Sequence, residues 1–253
     1  MEFGMFHEFP SLPGRTESEA FDEAMEQVDA AERLGLDVMW LAELHFEPRR
    51  SVLSAPLSIA SAIAARTSRM KIGIAVQVLP LCHPLRLAEE AATVDQLSHG
   101  RLIFGVGRSG VAQTYEAYGV SYAESRERFR EILDIVEQAW TKPSFSYSGK
   151  YHSFNEVAVV PKPCQKPTPA HSHRGQHSRH FPGDRPAWRG NLRIGAPYHL
   201  VRSHQANPEL SRCLAGGRPS RPRAGFCLCA DLSRGDQGTS SRRAQRKHHA
   251  FLP

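Results

Sequence analysis

Strand-like and helix-like segments alternate four times between residues 1 and 169. A chain with that order buries its apolar faces by laying parallel strands side by side, with helices packed over them. EFGMFHE at 2–8 reads as the first strand. Phe21, Met25, Val28, Ala31 and Leu34 then recur at three- and four-residue steps, with Thr16 or Ser18 to cap the helix and Gly35 to stop it. DVMWLA at 37–42 predicts a second strand, 55–65 a second helix, and KIGIAVQVLP at 71–80 a third strand rich in β-branched residues. Pro84 suits the first turn of a third helix running to Leu97, because its missing N–H costs nothing there. RLIFGVG at 101–107 predicts a fourth strand. Arg126 to Trp140 predicts a fourth helix with Phe129, Ile132, Leu133, Val136 and Trp140 on one face. FSYSGKYHSF at 145–154 reads as a hairpin about Ser148-Gly149. Pro161, Pro163, Pro167 and Pro169 then lead out in an extended conformation toward a fifth strand, which the residues after Pro169 do not spell.

Charge divides the chain at the same place. Residues 1–169 hold 17 Lys and Arg against 22 Asp and Glu, whereas 170–253 hold 15 against 4. The second segment has 14 Arg but one Lys, Lys247, and one Glu, Glu209. Solvated surfaces ordinarily mix these residue types. The odd total of five cysteines has no regular spacing, and Cys227-Leu-Cys229 lacks the two-residue gap of a zinc knuckle, so neither a disulfide framework nor a metal site is expected. No apolar run reaches the roughly 18 residues of a membrane span. MEFGMFHEF has no basic region of the signal-peptide kind, so a cytoplasmic protein is expected.

Glu43 and His45 lie just beyond the second strand, two residues apart and on one side of an extended chain. At the C-terminal end of a barrel strand they are candidate acid–base groups; the alternative is a loop pair that caps a helix or faces water. GVGRSG at 105–110 matches G-x-G-x-x-G, but it follows the fourth strand, no helix opens visibly from it, and the partner acid of a dinucleotide site is missing. Its glycines would instead let a flat ring approach the backbone, with Arg108 placed for an anion; the plain alternative is a glycine-rich turn. His83, before Pro84, reads as a helix-start residue. Arg126, Arg128 and Arg130 alternate with Glu124, Glu127 and Glu131 as a solvated face from which one arginine could reach a phosphate.

Taken together, GMFHEF, AERLGLDVMWLAELHF, IAVQVLPLCHPLRLAEEAATVDQLSHGRLIFGVGRSG and YGVSYAESRERFREILDIVEQAW resemble the bacterial luciferase-like, flavin-dependent monooxygenase family. The resemblance implies an α/β fold, the (β/α)8 TIM barrel, of which residues 1–169 would form the first half. It implies reduced FMN, or a deazaflavin, at the C-terminal mouth, with O2 and a small organic molecule as co-substrates, a separate flavin reductase as partner, and a homo- or heterodimer as assembly. The cofactor carries the redox chemistry and the protein orients it. By motif match, Ala75 and Val76 fall at a non-proline cis peptide beneath the flavin ring, Gly107 beside the flavin, and Arg108 and Arg126 on its phosphate. Leu44 stands where luciferase has a histidine between its counterparts of Glu43 and His45, so light emission from an aldehyde is not implied.

After PKPCQKPTP the family continues with an apolar strand, and here AHSHRGQHSRHF appears instead. With permitted codons, the nucleotides for Ala170 to Ile194 can encode an apolar strand, a loop, a helix and a second apolar strand when read one base further on. One frameshift accounts for the excess of arginine, the scarcity of glutamate and the abrupt boundary. The expectation is therefore an out-of-frame, irregular or disordered tail over 170–253 and a half barrel with uncovered sheet edges, prone to association and inactive as it stands. The alternative is a non-catalytic fragment whose basic tail binds nucleic acid through phosphates.

Overall fold

The computed structural model describes residues 2–173 and 228–230. In chain order the elements are β1 (Glu2–His7), α1 (Glu17–Arg33), β2 (Val38–Leu41), α2 (Pro56–Arg66), β3 (Lys71–Ile74), β4 (Gln77–Val78), α3 (Pro84–Leu97), β5 (Leu102–Gly107), α4 (Ala112–Ala117), α5 (Ser125–Thr141), β6 (Phe145–Ser148), β7 (Ser153–Val157), β8 (Ala170–His173) and β9 (Leu228–Ala230). The helix signals act as read from the sequence. Thr16 and Glu19 form a reciprocal capping box at the start of α1. Gly35, at φ +85°, ends that helix, while the Leu36 N–H reaches back to the Ala31 carbonyl at 3.0 Å.

β1, β2, β3 and β5 pair in parallel and in sequence order, with Phe6 beside Trp40 and Trp40 beside Gly73. Side chains alternate across this sheet as its period of two requires. Met39, Leu41, Ile72, Ile74, Leu102, Phe104 and Val106 join the large core under the helices. Val38, Trp40 and Ile103 form a second cluster on the other face, with Phe6 and Ala75 against it. Trp40 spreads over that face because Gly4 and Gly73 beneath its ring carry no side chain. A Cβ on Gly4 would stand 2.9 Å from the indole, and one on Gly73 would lie inside it. The indole nitrogen of Trp40 is buried and has no hydrogen-bond partner.

Three departures from the sequence reading stand out. First, the third strand does not run through 71–80. It breaks after Ile74, resumes at Gln77–Val78 and passes into a 3-10 turn at Leu79–Leu81. Second, the proline segment does not run straight, since the peptide bonds before Pro161 and Pro167 are cis, an isomer that the tertiary amide of X-Pro admits at small cost. Third, a fifth parallel strand is present: β8 pairs with β5 from Ile103↔Ala170 to Val106↔His173. Its sequence, AHSH, carries no strand pattern. The pairing rests on main-chain groups offered by the free edge of β5, which need no particular side chain. Gln165 starts it by accepting from the Ala170 N–H at 3.1 Å while its own amide is held by buried Asp95 at 2.7 Å. β9 lies antiparallel on the other side of β1. The remainder of the tail, to which the out-of-frame and nucleic-acid readings refer, lies outside the described residues. Among the described residues no helix is long and apolar enough to cross a membrane.

Candidate functional site

The loops after β2, β4 and β5 meet at the C-terminal end of the parallel strands, where a βα sheet gathers its functional groups. Glu43 and His45 are joined there, with Nε2 of His45 at 2.8 Å from Oε1 of Glu43. Their side chains are 3% and 10% exposed, which corrects the alternative of a loop pair facing water. The other oxygen of Glu43, Oε2, accepts from the Gln77 amide at 2.7 Å and from the Val78 N–H at 2.8 Å. The carboxylate therefore accepts from three donors, one from the loop after β2 and two from β4. Because a carboxylate next to an imidazole takes the ring N–H, Nε2 of His45 carries the proton and Nδ1 is left as an acceptor. The Tyr118 hydroxyl stands 3.2 Å from that Nδ1.

Gln77 must point its amide nitrogen at Glu43, since its oxygen would repel the carboxylate. Its Oε1 is consequently turned away, buried and unpartnered. The same Nε2 lies 3.6 Å from the sulfur of Cys82. Burial, reinforced by the nearby Glu43, pushes the Cys82 thiol up to about 12. Burial likewise raises the Tyr118 phenol, with Glu43 acting in the same direction. Both groups stay protonated at neutral pH.

Ala75 and Val76 are joined by a cis peptide between β3 and β4. Val76 packs over the end of β5 in the space that a side chain at Gly107 would need. The glycines of GVGRSG thus do not form one open shelf: the space at Gly107 is filled by Val76, whereas Gly110 faces open space. A short helix, α4, does begin two residues after Gly110, contrary to the sequence reading. Its six residues were hidden because AQTYEA has no apolar stripe long enough to register. Arg108 donates to the Ser125 hydroxyl at 3.0 Å, at the first residue of α5, and its carbonyl accepts from the Tyr115 hydroxyl. Burial pushes the Tyr115 phenol up to about 12, with Arg108 opposing. Arg126 follows on the exposed first turn of α5, whose N-terminus has no side-chain cap. The site residues thus fall into two groups, the Glu43–His45 pair with the 75–76 peptide and the Arg108–Arg126 end of α5.

The remaining candidates sit elsewhere. His83 occupies the N-cap position of α3 but makes no cap hydrogen bond; its ring meets His152 and Phe154 edge-on at 5.9 Å. Arg128 pairs with Glu124 and lies 4.1 Å over the Tyr151 ring, tying α5 to the hairpin. Sequence reasoning missed Gln77, Cys82 and Tyr118. Their partners come from different loops, and only the placement of Gln77 one residue past the IAV segment hinted at a role.

The family model of luciferase-like monooxygenases matches residues 1–178. The chain belongs to this family. The oxygenase component of flavin-dependent trigonelline monooxygenase from Acinetobacter baylyi is 28% identical over 172 residues, which cover 67% of this chain and 47% of that one. The F420-dependent glucose-6-phosphate dehydrogenase of Kineococcus radiotolerans is 35% identical over 146 residues, covering 55% and 42%. Among solved structures, the monooxygenase RslO1 from Streptomyces bottropensis is similar with a TM-score of 0.65 at 29% identity, covering 68% of this chain and 53% of that one. The chain therefore spans about half the length of these luciferase-like relatives. Its five parallel strands in sequence order are those of a partial TIM barrel.

Proposed function

We propose that the chain binds a reduced flavin at the C-terminal mouth and serves the flavin-dependent oxygenation of a small organic molecule. The observation that carries this reading is the Glu43–His45 pair, fixed by Gln77 and Val78 immediately beyond the Ala75–Val76 peptide. The residues fit such a group. Ala75 and Val76, with Val76 packed on the bare backbone of Gly107, offer a small apolar face for a flat ring. Arg108, Arg126 and the uncapped first turn of α5 supply cationic and N–H donors for a phosphate.

A bound reduced flavin supplies the electron pair for O2 or substrate. Around it, Glu43 would hold His45 in one tautomer, His45 would keep its acceptor nitrogen on the Tyr118 hydroxyl, and Cys82 would remain an uncharged thiol. A separate reductase would supply the flavin in reduced form, consistent with a relative that is named as an oxygenase component. The likeness to an F420-dependent dehydrogenase makes a deazaflavin the second ligand to test. Titrating the full chain with FMN and, separately, with a deazaflavin while following ligand fluorescence tests the reading. Saturable quenching by one of them is expected, followed, if that ligand is FMN, by O2 consumption once it is supplied reduced. No quenching by either at high micromolar concentration sinks it.

A further inference from the structure

We propose that Tyr118 is the group through which the site exchanges a proton with its bound ligand, with His45 as the base behind it and Glu43 as the orienting carboxylate. The proposal rests on the flavin-site reading above for the identity of the ligand, and on geometry for the direction of proton flow. Three groups stand in line: Glu43 Oε1 at 2.8 Å from His45 Nε2, and His45 Nδ1 at 3.2 Å from the Tyr118 hydroxyl. Exposure rises along the line. The Glu43 side chain is 3% exposed, that of His45 10%, and Tyr118 as a residue 46%. Glu43 has both oxygens occupied, and His45 spends both nitrogens on Glu43 and Tyr118. Of the three, only the Tyr118 hydroxyl stands at the open end, where a ligand in the mouth can meet it.

The ring of Tyr118 is held in place. It meets the His45 ring edge-on at 5.3 Å and the Phe46 ring at 5.5 Å, so the hydroxyl is aimed by packing as well as by its hydrogen bond. In the donating direction His45 first takes a solvent proton at Nδ1, the acceptor position of its resting tautomer. The Tyr118 O–H bond breaks as a bond forms between its proton and an oxygen anion on the ligand. The Nδ1 proton moves to the phenol oxygen, and His45 is left neutral with Nε2–H on Glu43. No electrons change hands, and solvent at the exposed tyrosine restores the proton to His45. The titratable groups facing this line are Cys82 and Tyr115 in addition to Glu43, and both carry protons across the neutral range.

Tyr118→Phe removes the hydroxyl and keeps the ring contacts, so it tests the role without emptying the packing. Reduced FMN is mixed with O2 on the full chain, in light and in heavy water, and His45 is followed by nitrogen NMR in histidine-labelled protein. The variant is expected to keep the FMN dissociation constant, to oxidise bound reduced FMN about 10²-fold more slowly, and to lose the solvent isotope effect. The Nδ1 resonance of His45 is expected to move. An unchanged rate and isotope effect with FMN bound overturns the proposal whatever the NMR shows. If the unmodified chain binds no FMN, the flavin reading fails by itself, and the resonance then decides: movement supports the tyrosine–histidine pair, and an unmoved resonance overturns it.

Discussion

The indole of Trp40 occupies the space in which a side chain on Gly73 would stand, one strand away on the same face of the sheet. Gly73→Ala therefore forces a buried ring, 3% exposed, to move against Val38 and Ile103. Overpacking of this kind costs about 1–3 kcal/mol. Urea unfolding followed by circular dichroism should show the loss as a lower midpoint with an unchanged slope, and Gly4→Ala, whose Cβ would stand 2.9 Å from the same ring, should lose less.

Gly107 and Val76 form a second such pair at the end of β5. Gly107→Ala should displace Val76 and weaken FMN binding together with stability. Trimming the opposing side chain in the double variant Val76→Ala with Gly107→Ala should recover most of both. Recovery of stability without recovery of binding would place the flavin ring elsewhere.

Glu131 ties the hairpin of β6 and β7 to α5. It accepts from the backbone N–H groups of Lys150, Tyr151 and His152 at 2.9, 3.0 and 2.7 Å. Burial works against its charge, but the donors at Tyr151, His152 and Lys150 outweigh it and hold the carboxyl below its ordinary value of 4.5. A group depressed in the folded state adds stability above its unfolded pKa and loses it as pH falls through the folded one. Wild-type melting temperature should thus drop as pH falls below about 4, and Glu131→Gln should be less stable at neutral pH by about 1–3 kcal/mol with a flatter acid limb. Parallel acid limbs in the two proteins would remove Glu131 from this account.

Cys82 and Cys164 should separate cleanly under alkylation. Cys164 is exposed, whereas the Cys82 thiol is partly buried and pushed up to about 12. At pH 8, iodoacetamide should modify Cys164 and leave Cys82 intact, as read by peptide mapping. Gln77→Leu, which removes the amide beside the sulfur, should not make Cys82 reactive, because burial rather than that contact dominates the shift.

The elements that carry a period were legible in the sequence. α1 announced itself through Thr16, its apolar steps and Gly35, and α5 through Phe129, Ile132, Val136 and Trp140, because a buried helix face must repeat every three or four residues. Glu43 and His45 were legible as a pair because two residues along an extended chain share a side. Gln77, Cys82 and Tyr118 were not, since their meeting depends on how the loops after β4 and β5 fold toward β2. The strand at 170–173 was invisible for a different reason. Its partner is the backbone of β5, and main-chain pairing leaves no mark in side-chain composition.

Among the described residues, the outer flanks of the sheet are short. β8 offers four residues along one side and β9 three along the other, and they cover Ile103–Val106 of β5 and Glu2–Gly4 of β1. A further strand, from another copy or from an unfolded chain, would find main-chain footing for no more than a few hydrogen bonds on these two ledges. Natural sheets use short outer strands in this way to resist templated growth. Assembly through this described sheet should therefore proceed by side-chain surfaces, and seeded fibril extension at these two ledges should be slow.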